Sequence, residues 1–454
     1  MKKHSTTLNG ISGNKRAYVN TERIHKPKKP VRILSKDIKI TADERSLSNL
    51  NCTIIGATGA GKTRSFVSPN ISAAENESMI VLDSKLNLYK KHKAELESKG
   101  YKVELIDLVD LTRSTIGYNP LDYVRTVGDH GQAKVDDVRE IASFIASDNM
   151  VGSTKEPFWH QTAREYIAAS ISLAFHTLVP EEINLKTVNK LLSLIDQPEW
   201  AVLIAEAKED DPECLEVEIN DQLITYRVTE KTHASILGIA KTAMTHFIWD
   251  EANELYCSEK RIKFSDLGDK KMAVFVNVPD HDFSKGQILS LFFSQCLKEL
   301  LDHADRASNS RLRHPVHIIA DDIASHFAIP HLPELISIIR SRGISLTLVL
   351  QSISQLSACY GESGAMTIIG NCSIVAFLGS MELDTPNMIS LKANIPVDKI
   401  TSMRMTEELL LIQGRKPIFA KKYNAEDYTE INFIDQHEEQ PSRDGFAENM
   451  REAG

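Results

Sequence analysis

Residues 51–63 read NCTIIGATGAGKT, an apolar run followed by a loop with glycine at 56, 59 and 61 and then Lys62-Thr63. The pattern G-x-x-x-x-G-K-[ST] is met in full from Gly56 to Thr63, with a strand-like run before it and a helix-like run after it. Glycines let successive backbone N–H groups curl around phosphate oxygens, and the helix that follows aims its positive end at them. Lys62 adds a point charge for the β- and γ-phosphates, and the Thr63 hydroxyl suits Mg2+. Gly56, Ala57, Thr58, Gly59, Ala60, Gly61, Lys62, Thr63 and the flanking Arg64 therefore predict a site for ATP with Mg2+.

Seven further runs extend this beginning: MIVLD (79–83), KVELID (102–107), MAVFVNV (272–278), VHIIAD (316–321), ISLTLVL (344–350), CSIVAFLG (372–379) and LLLIQG ending at Gly414. They are continuously apolar rather than alternating, as strands covered by helices on both faces require. The expected fold is α/β, a mostly parallel sheet. Between about 136 and 265 the rhythm becomes helical, in VDDVREIASFIAS, WHQTAREYIAASISLAFHTL, LKTVNKLLSLI and HASILGIAKTAMTHFIWDEANEL, with AKEDDPE read as loop. This predicts a basic segment at 1–46, a nucleotide-binding domain in two parts at 47–135 and 266–424, an inserted all-α domain at 136–265, and an acidic tail at 425–454.

A phosphate loop needs a second strand whose terminal acid holds a water on the metal. VHIIAD supplies it, with Asp321 on the metal side and Asp322 placed to polarise the attacking water; such a pair could also cap a helix. Gln351 ends the run ISLTLVL, where an amide could sense the γ-phosphate. Arg340 and Arg342 just before that run could serve a neighbouring subunit's nucleotide as an arginine finger, or form surface ion pairs or DNA contacts. His314, His317, His326 and His331 straddle a strand and a loop without a ligand pattern, so no transition-metal site is expected there.

The formal charge of -9 is unevenly spread. Residues 1–40 carry eleven Lys/Arg against Glu22 and Asp37, a local +9, which leaves -18 for the remainder. A basic arm such as KPKKPVR suits a polyanion, either DNA or the inner face of a membrane. Residues 424–454 hold nine acids and two bases and read as an exposed acidic end, suited to a basic partner. The six cysteines are scattered with no C-x-x-C pair, which points to reduced thiols in the cytoplasm. The most apolar stretch, EYIAASISLAFHTLV (165–179), is short for a bilayer and broken by polar residues, so a buried helix is expected.

These blocks together resemble the TraG-type coupling ATPases of conjugation and type IV secretion, in the form found on mobile elements of Gram-positive bacteria. The likeness covers about 45–425 and rests on GATGAGKTRSFVSPN, MIVLDSKLNLYKKHKAELESKGYKVELIDL, STIGYNPLDYV, EPFWHQTAREYI, EKTHASIL, MAVFVNVPD, IADDIASHFAIPHL, RSRGISLTLVLQSISQL and IIGNCSIVAFLG with ELDT behind it. It implies a RecA-like P-loop NTPase domain with an all-helical insert, assembling as a homo-hexameric ring. Such rings use ATP to deliver relaxase-bound single-stranded DNA into a secretion channel. Lys62 and Thr63 match the phosphate loop, Asp321 and Asp322 the second acidic motif, and Gln351 the downstream glutamine.

The departures are specific. Family members tend to carry Asp-Pro-Lys-Gly-Glu where this chain has Asp83-Ser84-Lys85-Leu86-Asn87, and Asp-Glu-Phe where it has Asp321-Asp322-Ile323. They usually begin with membrane-spanning helices, where this chain has its basic arm, so the expected location is cytoplasmic with peripheral membrane contact. Two other functions fit the residues: a nucleotide-binding adaptor that docks relaxase with little ATP turnover, and a DNA translocase of the FtsK/HerA group.

Overall fold

The computed structural model describes residues 29–41, 49–128, 131–147, 157–227, 229–279, 281–321 and 327–424. Its strands are β1 (Val31–Ile33), β2 (Lys39–Thr41), β3 (Cys52–Ile55), β4 (Ser78–Asp83), β5 (Lys102–Asp107), β6 (Thr126–Val127), β7 (Gln132–Ala133), β8 (Met272–Asn277), β9 (Val316–Asp321), β10 (Ile344–Leu350), β11 (Ile374–Phe377), β12 (Glu407–Ile412) and β13 (Ile418–Lys421). Nine of them form one sheet in the order β13-β12-β11-β3-β10-β9-β4-β8-β5. It is parallel from β11 to β5, and β12 and β13 add an antiparallel hairpin at one edge.

Successive residues of these strands face opposite sides, and both sides are apolar. Ile80, Leu82, Val274 and Ile318 join one buried cluster, while Met79, Val81, Phe275 and Ile319 join the other. The second face is covered by α1 (Ser68–Ala73) and α2 (Asn87–Ser98), through Ile71, Leu88 and Leu96. On the first lie the helix Gly286–Arg306 and the helical segment between β5 and β8.

That segment contains α3 (Val135–Ala146), α4 (Pro157–Thr177), α5 (Leu185–Leu194), α6 (Pro198–Asp210), α7 (Leu215–Arg227) and α8 (Glu230–Met244). In α3 the buried Val138, Ile141, Ala142 and Ile145 fall at three- and four-residue spacing, so a single stripe faces inward. Asn184 starts α5, its Oδ1 accepting from the backbone N–H of Lys186 and Thr187 at 3.0 and 3.1 Å. The apolar stretch 165–179 lies mostly in α4, which packs against α3, α5, α6, α7 and α8. No helix of the described residues is long and apolar enough to cross a membrane. The reading of AKEDDPE as loop needs correction: α6 continues through Asp210, so the first four of those residues are helical. Lys and Glu favour helix when exposed, and a charged run alone does not end one.

One member of the basic arm is also placed differently from the polyanion reading. Arg32 is fully buried: it donates to both oxygens of Glu77 at 2.6 and 2.9 Å and to Ser345 Oγ at 2.8 Å. Lys29, Lys36 and Lys39 are exposed, and the basic residues before 29, like the acidic tail from 425, lie outside the described residues.

Candidate nucleotide site

The parallel register sets the site. Ile55 pairs with Leu350 on one side and Phe377 on the other, and Val349 pairs with Asp321, so β3, β9 and β10 end side by side. In an open α/β sheet the crevice beyond these carboxyl ends is where ligands bind. Gly56 leaves β3 with its N–H bonded to Leu350 O at 3.1 Å, and Ala57 N–H bonds Gly379 O at 2.8 Å. Gly59 and Gly61 take φ of 82° and 85°, a region costly for other residues. A Cβ on Gly56 would meet Ala60 Cβ and Leu378 Cβ at 3.0 Å each, so the loop also needs glycine for space. A wide helical turn over Thr63–Val67 then runs into α1.

Lys62 is buried and its Nζ donates to Gly56 O at 2.7 Å and Ala57 O at 3.3 Å. Phosphate oxygens would compete with these carbonyls for the same ammonium. The Thr63 hydroxyl donates to Asp321 Oδ2 at 2.9 Å. An octahedral Mg2+ takes a phosphate-loop hydroxyl directly and the strand acid through water, so this pair fits the cation's needs. Gln351 Oε1 lies 3.5 Å from the Thr58 hydroxyl, and its own N–H is held by Gln355 Oε1 at 3.2 Å. Thr63 and Arg64 are exposed on the same turn. The fold thus brings Gly56 to Arg64, Asp321 and Gln351 together; Asp322 lies outside the described residues.

Arg340 and Arg342 are elsewhere. They belong to the turn Ile339–Arg342 before β10, at the opposite end of a seven-residue strand, roughly 20 Å from the phosphate loop at strand rise. Neither reaches this chain's own nucleotide, and Arg342 Nε donates to Asp305 Oδ1 at 3.0 Å. His317 is a core residue, its Nε2 2.8 Å from Thr347 Oγ1, and burial pushes its pKa well below the usual imidazole range.

Sequence reading missed Lys422. This residue follows the edge strand β13, is fully buried, and its Nζ donates to Ala60 O at 2.9 Å and Leu378 O at 3.0 Å, so it supports the loop from beneath. Burial pushes the Glu408 carboxyl up to about 8 and the Lys422 ammonium down to about 8, and each opposes the other's shift. A lysine just after an alternating edge strand carries no sequence signal for such a role.

Comparison with known proteins places the chain in a family. It is 24% identical over 346 residues to the conjugal transfer protein TraG of Rhizobium radiobacter, covering 74% of this chain and 51% of that protein. The chain spans about half the length of the curated relatives it matches. Its fold is similar to the bacterial conjugative coupling protein TrwBdeltaN70, with TM-score 0.63 and 13% identity over 86% of this chain and 88% of that one. The plasmid coupling protein TrwB solved with ADP and Mg2+ superposes with TM-score 0.60 and 13% identity, covering 82% and 85%. The family model described as Type IV secretory system Conjugative DNA transfer matches residues 12–393, and the chain belongs to that family.

Proposed function

We propose that the chain is an ATP-driven coupling factor that recruits single-stranded DNA with its bound relaxase and drives it toward a type IV secretion channel. The observation that carries this reading is the Thr63–Asp321 hydrogen bond, which joins residues 258 positions apart at the mouth of a phosphate loop, in a chain of a DNA-transfer family. The solved coupling protein that holds ADP and Mg2+ on a similar fold supports the choice of ligand.

In this reading the loop N–H groups cradle the phosphates, and Lys62 leaves the carbonyls of Gly56 and Ala57 for the β- and γ-phosphate oxygens. Thr63 and Asp321 would hold Mg2+, which would neutralise charge on those oxygens. Gln351 sits on the loop's Thr58 and reports the γ-phosphate to the helix Ile353–Gly370 behind it. Six copies close a ring, where Arg342 or Arg340 of one copy exchanges its surface partners for the next copy's nucleotide. Asp322 positions the attacking water. As Asp in place of a longer Glu it stops about an ångström short, a misplacement that costs on the order of a hundredfold in rate. Basic residues of the first forty supply polyanion contact, on DNA or at the inner membrane face.

The test is ATP turnover titrated with single-stranded DNA for the natural chain, Lys62→Ala and Asp322→Glu. Turnover is expected to rise with DNA, fall by about 10²–10³-fold in Lys62→Ala and increase in Asp322→Glu. Turnover indifferent to DNA, or none in any variant, would sink the motor. The short acid also favours a second reading, an adaptor that docks relaxase with little hydrolysis; cargo binding that needs ATP yet survives Asp322→Asn would support it.

A further inference from the structure

Far from the phosphate loop, four helices of the segment between β5 and β8 have termini at one cleft of about 610 Å3, the starts of α3 and α7 and the ends of α4 and α6, bordered also by β6 and β7. Three unlike donors converge in it. His176 is the penultimate residue of α4, Cys214 precedes α7, and Glu216 lies in the first turn of α7. One ligand atom from each, an imidazole nitrogen, the thiol sulfur and a carboxylate oxygen, lies within 4.8 Å of the other two. Bonds of about 2.0–2.3 Å to a tetrahedral cation set donor atoms roughly 3.3–3.8 Å apart, so closure asks for a shift of about an ångström.

Two observations distinguish this cluster from a chance meeting of polar groups. Glu216 is 1% exposed; its Oε1 is 2.9 Å from His176 Nδ1 with no hydrogen bond directed between them, while the Cys214 thiol is hydrogen-bonded to the same carboxylate. The two atoms are close but not directed at each other, as ligands of a shared ion are. The outer contacts are those of a metal centre as well. Glu216 Oε2 accepts from Ser172 Oγ at 2.6 Å, and His176 Nε2 is 3.4 Å from Asp210 Oδ2, which leaves Nδ1 for a cation. Ligating histidines and carboxylates are held by such second partners.

We propose that His176, Cys214 and Glu216 form a binding site for a borderline divalent cation of the Zn2+ class, which clamps the end of α4 to the start of α7. A nitrogen, a sulfur and an oxygen select Zn2+ over Mg2+ or Ca2+, which take oxygen donors. On binding, the Cys214 proton passes to solvent and the thiolate donates its lone pair to the ion. A water completes the fourth position.

The experiment is a Co2+ titration of the full chain, stripped with chelator and held in metal-free buffer without nucleotide, followed by Zn2+ competition. One equivalent of Co2+ is expected to produce a thiolate-to-cobalt charge-transfer band that Zn2+ removes. Cys214→Ser is expected to lose the band, and Ser172→Ala to weaken binding by about tenfold. A natural chain that gives no such band overturns the proposal, whatever the variants do. So does a band that persists in Cys214→Ser, and the ion pair of His176 with Glu216 is then the whole role of the cluster. Since the readout uses neither ATP nor DNA, it stands or falls apart from the coupling-factor reading.

Discussion

The two ends of the central sheet use charge in opposite ways. At the carboxyl ends of β3, β9 and β10, Lys62 rests on loop carbonyls and Thr63 on Asp321, contacts that a phosphate or a cation would replace. At the amino ends, Arg32 and Glu77 are locked in a two-point pair at 0% and 2% exposure, with Ser345 as a third contact and His317 alongside. The first end holds its charges by exchangeable bonds, and the second seals them. Buried ion pairs contribute little net stability over apolar residues but are costly to break, so the sealed end fixes the geometry and the open end uses it.

Substitutions sharpen that contrast. Glu77→Ala strands the Arg32 guanidinium without its carboxylate and is expected to cost about 3–5 kcal/mol in denaturant unfolding. At the open end, Lys62→Ala is expected to lower turnover by about 10²–10³-fold, the scale of one lost transition-state donor, while the unfolding midpoint stays near that of the natural chain. Equal stability losses at both ends would break the comparison. His317 gives a pH-dependent version. Burial holds its folded-state pKa well below 6.5, so the unfolded chain binds the proton more readily. Stability is therefore full above pH 6.5 and falls as pH drops, by about 1.4 kcal/mol per unit until the folded-state value is reached. His317→Gln should flatten that acid limb in thermal melts. The smallest effect is expected at Leu86, which takes φ 56°. Leu86→Gly relieves about 1–2 kcal/mol of left-handed strain but removes a buried side chain worth about 1.5–3 kcal/mol, so the net loss should stay near 1 kcal/mol.

The eight apolar runs were legible because most residues of β3, β4, β5 and β8 to β12 are buried, although the edge strand β5 begins at an exposed Lys102. The remaining strands were not: β1, β2, β6 and β7 are two or three residues long, and β13 alternates at an edge with half its residues exposed. That Gly56 to Thr63, Asp321 and Gln351 would lie together was readable because the phosphate-loop pattern restricts residue type and order and strand ends in a parallel sheet fall side by side. Lys422 and Arg32 were hidden, since a lysine or arginine reads the same in sequence whether it meets solvent or a buried carbonyl. His176, Cys214 and Glu216 were hidden for another reason: α5 and α6 separate His176 from the other two, and only the packing of α4 against α7 joins them.

Lys422 has a consequence for the order of events during synthesis. The phosphate loop emerges early, yet the strands that flank it, the acid at 321 and the ammonium beneath Ala60 all come from the second half of the chain. A nascent chain halted before residue 422 lacks the strut under its loop. The loop's full set of contacts is therefore complete only once residue 422 has been made.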